Sequence, residues 1–367
     1  MNREKNASMK TLLRAAMAEA GLDALLVTRD ANQRFVEGYT GSECYLLVSK
    51  NENWLIADSR YTEQASDECA SAKVVRHRDP FPPYDEVIAS LAAGAGLRRI
   101  GFERSLLSYA QYDAIGTELG KKGGIEFIPT ENIVEKLRMV KNSEEISFLR
   151  RACTITDLSL ERAVANLREG MSEVELTREL EARIVELGGD GPGSSTIVAF
   201  GARPSLPHAV PLAGSKLKKG DFILIDFGVS IEGYRSDMTR TVVFGRASLE
   251  QKKVYAAVLE SQMKSVEAMV AGASGKTPDA VARESVRASG YPEFGYGVGH
   301  GVGLEIHEMP FMSRRCAETL ENGMVITCEP GIYIPGWGGV RVEDTVLIRD
   351  GNPECLTRFP KDKLLEI

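Results

Sequence analysis

The sequence has no apolar run approaching the ~18 residues of a membrane span, no block of basic residues and no Cys-x-x-Cys pair. The first absence argues against a membrane-spanning chain. The second, with 45 Lys+Arg against 52 Asp+Glu and a net charge of −7, removes the usual electrostatic route to nucleic acid or an anionic membrane. The third leaves Cys44, Cys69, Cys153, Cys316, Cys328 and Cys355 scattered, as small buried apolar residues are, and not as a disulfide framework or zinc site. No secretion signal is evident, because Arg14 and Glu19 interrupt the only apolar stretch near the start. A cytoplasmic protein is expected. The absence of Gly-x-Ser-x-Gly removes support for a serine hydrolase of that type. Histidine is scarce: His77, His208, His300 and His307 are all there are, and three lie in the C-terminal half.

What is present is ordinary globular composition, 43% hydrophobic and 26% charged, in 367 residues, a length that suggests about two domains. The first third alternates helix and strand. Leu12, Leu13, Ala16 and Met17 share a helical face over residues 9–20, and Ala24–Val27 is a short buried strand. Residues 45–49 and 54–57 predict a hairpin across the polar turn 50–53. A helix over 84–92, a strand over 99–102, a helix over 108–119 and a strand over 125–128, ended by Pro129, complete the series. His77, between Arg76 and Arg78, reads as an exposed loop or edge histidine. Asn142 with Glu145 and Ser172 with Glu175 predict capping boxes opening two amphipathic helices. The boundary is placed near 130–140, giving domains 1–132 and 133–367.

The C-terminal half carries the chemistry. Phe222 to Ile225 is a strong strand ending in Asp226, and a second strand is expected over 234–244. If Glu232-Gly233 is a two-residue hairpin turn, Gly228 faces Asp237 and both acids point to one side of the sheet. Two carboxylates side by side in an apolar strand pair are costly without compensating charge. A metal ion supplies it. The alternative is a loop acid at Asp237 paired with Arg235 or Arg240. Glycines flank His300, and His307 follows seven residues later. His-Glu-x-x-His zinc chemistry fails, because Phe311 stands where the second histidine belongs and Pro310 breaks the helix. Glu305 and Glu308 read as facing solvent or capping local backbone. Glu329 ends an apolar run, and Glu343 alternates with Arg341 in another. Three or more acids in one pocket cannot all stay ionised without cations. The donor set suits Mn²⁺ better than Zn²⁺ or Cu⁺, and five ligands are enough for two ions ~3.5–4 Å apart.

These motifs resemble the pita-bread metallopeptidases: methionine aminopeptidase, aminopeptidase P and prolidase. The resemblance rests on the stretch 198–211 containing Pro207-His208, on Asp226-Phe-Gly, Tyr234-Arg-Ser-Asp237, the His300 to His307 run, Glu329-Pro-Gly and Val340-Arg341-Val-Glu343-Asp344. Residues 1–130 are similar to the creatinase-type N-terminal domain of the Xaa-Pro branch, notably at Glu37-Gly-Tyr-Thr-Gly-Ser42 and 58–65. The resemblance implies an α/β creatinase-like domain followed by an α+β pita-bread catalytic domain. It implies two divalent ions, Mn²⁺ first with Co²⁺ or Zn²⁺ as alternatives, held by Asp226, Asp237, His300, Glu329 and Glu343. Glu329 would also act as base, His307 would hydrogen-bond the substrate carbonyl, His208 would meet the substrate near the scissile nitrogen, and Arg341 would bind ligand carboxylates or substrate backbone. A homodimer is implied, acting on peptides with proline at the second position. Two departures stand out. Tyr296 replaces a histidine found four residues before the metal histidine, and Phe311 stands near where dipeptide-specific prolidases carry an arginine. The second favours an Xaa-Pro aminopeptidase, with an Xaa-Pro dipeptidase as the alternative. An amidinohydrolase or metal-free binding protein on the same fold is the more distant rival.

Overall fold

Tyr45–Ser49 and Asn53–Ala57 pair as their spacing predicts, Leu46 opposite Leu55 and Val48 opposite Asn53. In the computed structural model, which describes residues 3–69 and 71–367, this hairpin belongs to a six-stranded sheet. Its order is Lys73–Arg76, Asn53–Ala57, Tyr45–Ser49, Ala24–Val27, Arg99–Glu103, Glu126–Thr130. Ala24–Val27 is central and buried at every position, as a strand covered on both faces must be. The helices Tyr84–Gly94 and Tyr109–Lys121 bury Val87, Ile88, Ile115 and Leu119 in the core against it.

Two expectations fail in this unit. Pro129 does not end its strand but lies within Glu126–Thr130. That strand is the sheet edge, where a residue without N–H sacrifices no ladder bond. His77 is not exposed: only 5% of its surface is accessible. Its ring stands edge-on to Tyr45 and Tyr84, at 6.3 and 6.1 Å, while those two rings stack at 4.6 Å. The flanking Arg76 and Arg78 take the solvent positions instead.

The chain divides into two units between Arg138 and Met139, at the end of the helix Ile133–Met139. Both predicted capping boxes are present. Asn142 and Ser172 accept from the Glu145 and Glu175 N–H groups, and open the helices Ser143–Val164 and Glu173–Glu186. These helices pack on an antiparallel sheet of Ile197–Phe200, Phe222–Phe227 and Met238–Val243. The arrangement then repeats. Leu249–Glu267 and Lys276–Ala288 cover a second antiparallel sheet that includes Gly299–Gly301, Val325–Cys328 and Asp344–Leu347. The C-terminal unit is thus two helix-on-sheet halves, and the acids singled out above are divided between them.

Candidate metal centre

The first half delivers Asp226 and Asp237 through a hairpin whose register follows from its turn. Glu232 and Gly233 both take positive φ, 49° and 72°, the primed turn that suits a right-twisted hairpin. Ile231 then faces Tyr234, and the same register carries through to Asp226 opposite Thr239. The second strand is not continuous over 234–244, as expected, but breaks between Tyr234–Arg235 and Met238–Val243. At the break the Val229 N–H donates to the Ser236 hydroxyl at 2.9 Å. On the outward edge Thr345, from the other half, accepts the Asp237 N–H at 3.2 Å and donates to the Asp237 carbonyl at 2.7 Å.

The second half delivers His300, Glu329 and Glu343. A side chain at Gly299 would meet the Thr327 carbonyl at 1.9 Å, and one at Gly301 the Met309 carbonyl at 2.2 Å. Glycine is required on both sides of the histidine by neighbouring backbone. The His300 N–H donates to Thr327 Oγ1, and its Nδ1 lies 3.2 Å from the Gly301 carbonyl. With Nδ1 as donor, Nε2 is left facing Glu329 Oε1 at 3.2 Å and Asp237 Oδ2 at 3.7 Å. Glu329 follows Val325–Cys328, and Glu343 sits between Gly338–Arg341 and Asp344–Leu347.

Asp237, His300 and Glu343 each offer a ligand atom, all within 4.8 Å of one another, and all three are buried. Asp237 Oδ1 and Glu343 Oε1 are buried with no hydrogen-bond partner. A buried acceptor without a donor is costly. Burial and then the neighbouring Asp226 raise the Asp237 carboxyl well above its ordinary range. Burial and then Asp237 do the same at Glu343. At His300 burial works downward, but the Glu329 bond and charge and the Asp237 charge outweigh it and raise its pKa to about 9. Unfilled carboxylate lone pairs beside one imidazole nitrogen form a donor set that fits divalent cations. Asp226 borders the same cavity but is ion-paired with Arg341. Neither alternative partner for Asp237 is engaged with it. Arg240 pairs with Asp344 at 2.8 Å, and Arg235 donates to the Gly193 carbonyl at 2.9 Å.

The centre opens into a cavity of about 1030 Å³. His307 and His208 line it, both exposed. The His307 ring stands edge-on to His300, centroids 4.3 Å apart, whereas no contact of His208 with the acids is recorded among the described residues. Arg341 is 2% exposed and fully engaged. It donates to Thr239 Oγ1, Tyr333 Oη, the Pro207 carbonyl and Asp226. Tyr296, standing where a histidine was looked for, bonds Tyr333 Oη at 2.6 Å.

Several supporting residues escaped the sequence reading. Thr239 links the two halves, donating to Glu343 Oε2 at 2.6 Å while accepting from Arg341. Glu308 caps local backbone, as one of its two expected roles had it, accepting the Glu305 N–H, but it is also buried and paired with Lys141 Nζ at 2.7 Å. Glu173, in the first turn of Glu173–Glu186, accepts from Phe200 N–H, Arg203 Nε and Leu212 N–H. It thereby holds both ends of the loop that carries His208. Glu173→Gln keeps the shape but loses the charge-assisted bonds, at a cost of about 1–3 kcal/mol. Unfolding in urea should show that loss, and KM should rise several-fold as the loop loosens.

Comparison with known proteins follows the same division of the chain. Residues 147–350 match the family model of Metallopeptidase family M24, and residues 11–140 that of the Creatinase/Prolidase N-terminal domain. An Xaa-Pro dipeptidase of Pyrococcus horikoshii is 35% identical over 349 residues, spanning 94% of this chain and 95% of its own. Among solved structures, an Xaa-Pro dipeptidase from Bacillus anthracis is 38% identical with a TM-score of 0.91, covering 98% of this chain and 99% of that one. An X-Pro aminopeptidase from Thermotoga maritima is 34% identical with a TM-score of 0.89, at the same coverage. With both domain matches and this breadth of likeness, the chain belongs to metallopeptidase family M24, pita-bread peptidases here preceded by a creatinase-type N-terminal domain.

Proposed function

We propose that the protein is an Xaa-Pro dipeptidase, hydrolysing the bond between an N-terminal residue and proline. The observation that carries the reading is the buried cluster of Asp237, His300 and Glu343 with two unpartnered carboxylate oxygens, opening into a peptide-sized cavity in a chain of this family. Asp226, Asp237, His300, Glu329 and Glu343 would hold two divalent ions, Mn²⁺ being the best fit to an oxygen-rich set with one imidazole. Such ions supply Lewis-acid polarisation and a more acidic water.

The chain's own groups do the rest. Glu329 takes the proton of the attacking water and returns it toward the proline nitrogen. His307 donates to the carbonyl oxygen as negative charge develops there. His208, on the cavity wall, would meet the substrate near the scissile nitrogen. Arg341 fixes the Asp226 carboxylate and, through Tyr333 and the Pro207 carbonyl, the wall beneath His208. A bond to proline has no N–H to recognise, so a dedicated pocket makes chemical sense. The reading extends to a homodimer, as the family likeness implies, and to the cytoplasm, as the scattered cysteines suggest.

Relatives named for dipeptides favour this reading over the aminopeptidase suggested by Phe311. The aminopeptidase remains the second reading, because Phe311 lines the cavity, half exposed, with no cationic group in its place. Chelated protein reloaded with Mn²⁺ should cleave Ala-Pro faster than Ala-Pro-Ala, and chelation should abolish both activities. Preference for the tripeptide would establish the aminopeptidase instead. No metal-dependent turnover of either would overturn both.

A further inference from the structure

The buried side-chain polar atoms that border the cavity and lack a partner fall into two groups. Asp237 Oδ1 and Glu343 Oε1 are acceptors at the candidate metal centre. Arg235 Nε, Ser194 Oγ and Thr196 Oγ1 belong to another wall, and each can donate. We propose that this wall receives the C-terminal carboxylate of the substrate, with Arg235 as the residue that makes a dipeptide the preferred length. The inference rests on the Xaa-Pro reading above.

Arg235 is partly buried on the short strand Tyr234–Arg235, and its single side-chain bond goes from Nη1 to the Gly193 carbonyl. It makes no ion pair among the described residues. That bond sets the guanidinium against the segment carrying Ser194 and Thr196. Thr196 is itself 8% exposed, so its hydroxyl is buried, unpartnered and beside the cavity. A partly buried guanidinium with donors to spare, next to two unpaired hydroxyls, matches the needs of a carboxylate: a planar fork plus further donors.

The charge around the cavity points the same way. Asp226, Asp237, Glu329 and Glu343 border it and would repel a substrate carboxylate. Of the two arginines lining it, Arg341 is committed to Asp226, Tyr333, Thr239 and the Pro207 carbonyl. Arg235 holds only the Gly193 carbonyl and no acid among the described residues, and Phe311 adds no charge. An Xaa-Pro dipeptide ends in a carboxylate one residue beyond the scissile bond. A longer peptide places a neutral amide there, which would leave the guanidinium unpaired.

The test compares Ala-Pro with its C-terminal amide on the Mn²⁺-loaded full-length protein. The wild type should favour the acid, mainly through KM. Arg235→Gln should collapse that preference by about 10–100-fold, the range for a charge-assisted bond, and Arg235→Lys should restore part of it. A wild type that shows no preference for the acid overturns the proposal without any variant. An Arg235→Gln protein that loses acid and amide turnover by the same factor overturns it too. If neither substrate is cleaved, the Xaa-Pro reading fails, and thermal shift with proline against prolinamide decides the carboxylate site separately. Stabilisation of the wild type by proline alone, lost in Arg235→Gln, supports the site. Equal or absent shifts overturn it.

Discussion

Asp237→Asn should reduce Mn²⁺-dependent turnover by about a thousandfold or more, since ion catalysis is worth several kcal/mol and each 1.4 kcal/mol is about tenfold. The same variant should make the chelated protein more stable. Asp237 is 5% exposed, close to His300 and Glu343, and one of its oxygens has no partner. Without ions its charge is a burden on the fold, and the isosteric amide removes it. The sign with pH follows from the raised carboxyl. A group that binds its proton more tightly folded than unfolded lowers stability as pH rises above the ordinary carboxylate value of about 4. The advantage of Asp237→Asn in chelator should therefore widen as pH rises above the ordinary carboxylate value. Adding Mn²⁺ should reverse the order, because the wild type gains melting temperature from ion binding and the variant loses most of that gain. Calorimetry of both proteins, with and without chelator, reads all three effects. A variant that melts below the wild type in chelator at every pH would count against a buried, uncompensated charge at this site.

Arg240→Met should cost about 3–5 kcal/mol, the range for breaking a buried ion pair from one side. Arg240 is 1% exposed and anchors four groups: Asp344 Oδ1 and the carbonyls of Phe359, Thr239 and Glu343. Burial alone would push the Asp344 carboxyl up, yet Arg240 and Lys361 hold it well below its ordinary value. In the variant Asp344 keeps Lys361, Gln262 and Thr357, which should prevent outright unfolding. At about 2–4 °C per kcal/mol for a unit of this size, melting should fall by ~10 °C. Glu343 also loses the anchor on its backbone, so Mn²⁺ affinity should weaken by about 10–100-fold, the usual cost of removing an outer support. Adding Asp344→Asn to Arg240→Met should recover part of the stability. A double variant no better than the single would show that the pair is not the source of the cost.

The sequence carried the placement of Asp226 and Asp237 because one local feature, the Glu232-Gly233 turn, sets the register of everything beyond it. Both capping boxes were readable for the same reason: cap and partner lie three residues apart. Features decided by distant contacts were not readable. His77 is buried by Tyr84, beyond the turn that follows it, and by Tyr45, on another strand of the sheet. The Asp237 backbone is held by Thr345, more than a hundred residues on. Thr239 and Glu173 look like ordinary strand and helix residues until the fold brings Glu343 and the 200–212 segment to them. Arg235 was weighed only as a partner for Asp237. Its significance comes from what it does not touch, and that is visible only in three dimensions.

Because Asp226 and Asp237 reach the centre from opposite arms of one hairpin, the turn between them acts as a parity gate on evolution. With the two-residue turn retained, one residue gained or lost there would shift every partner beyond it by one and send Asp237 to the opposite face of the sheet. A change of two would preserve the facing. Length variation among functioning relatives should therefore favour even steps at this turn, while the outer loops drift without regard to count.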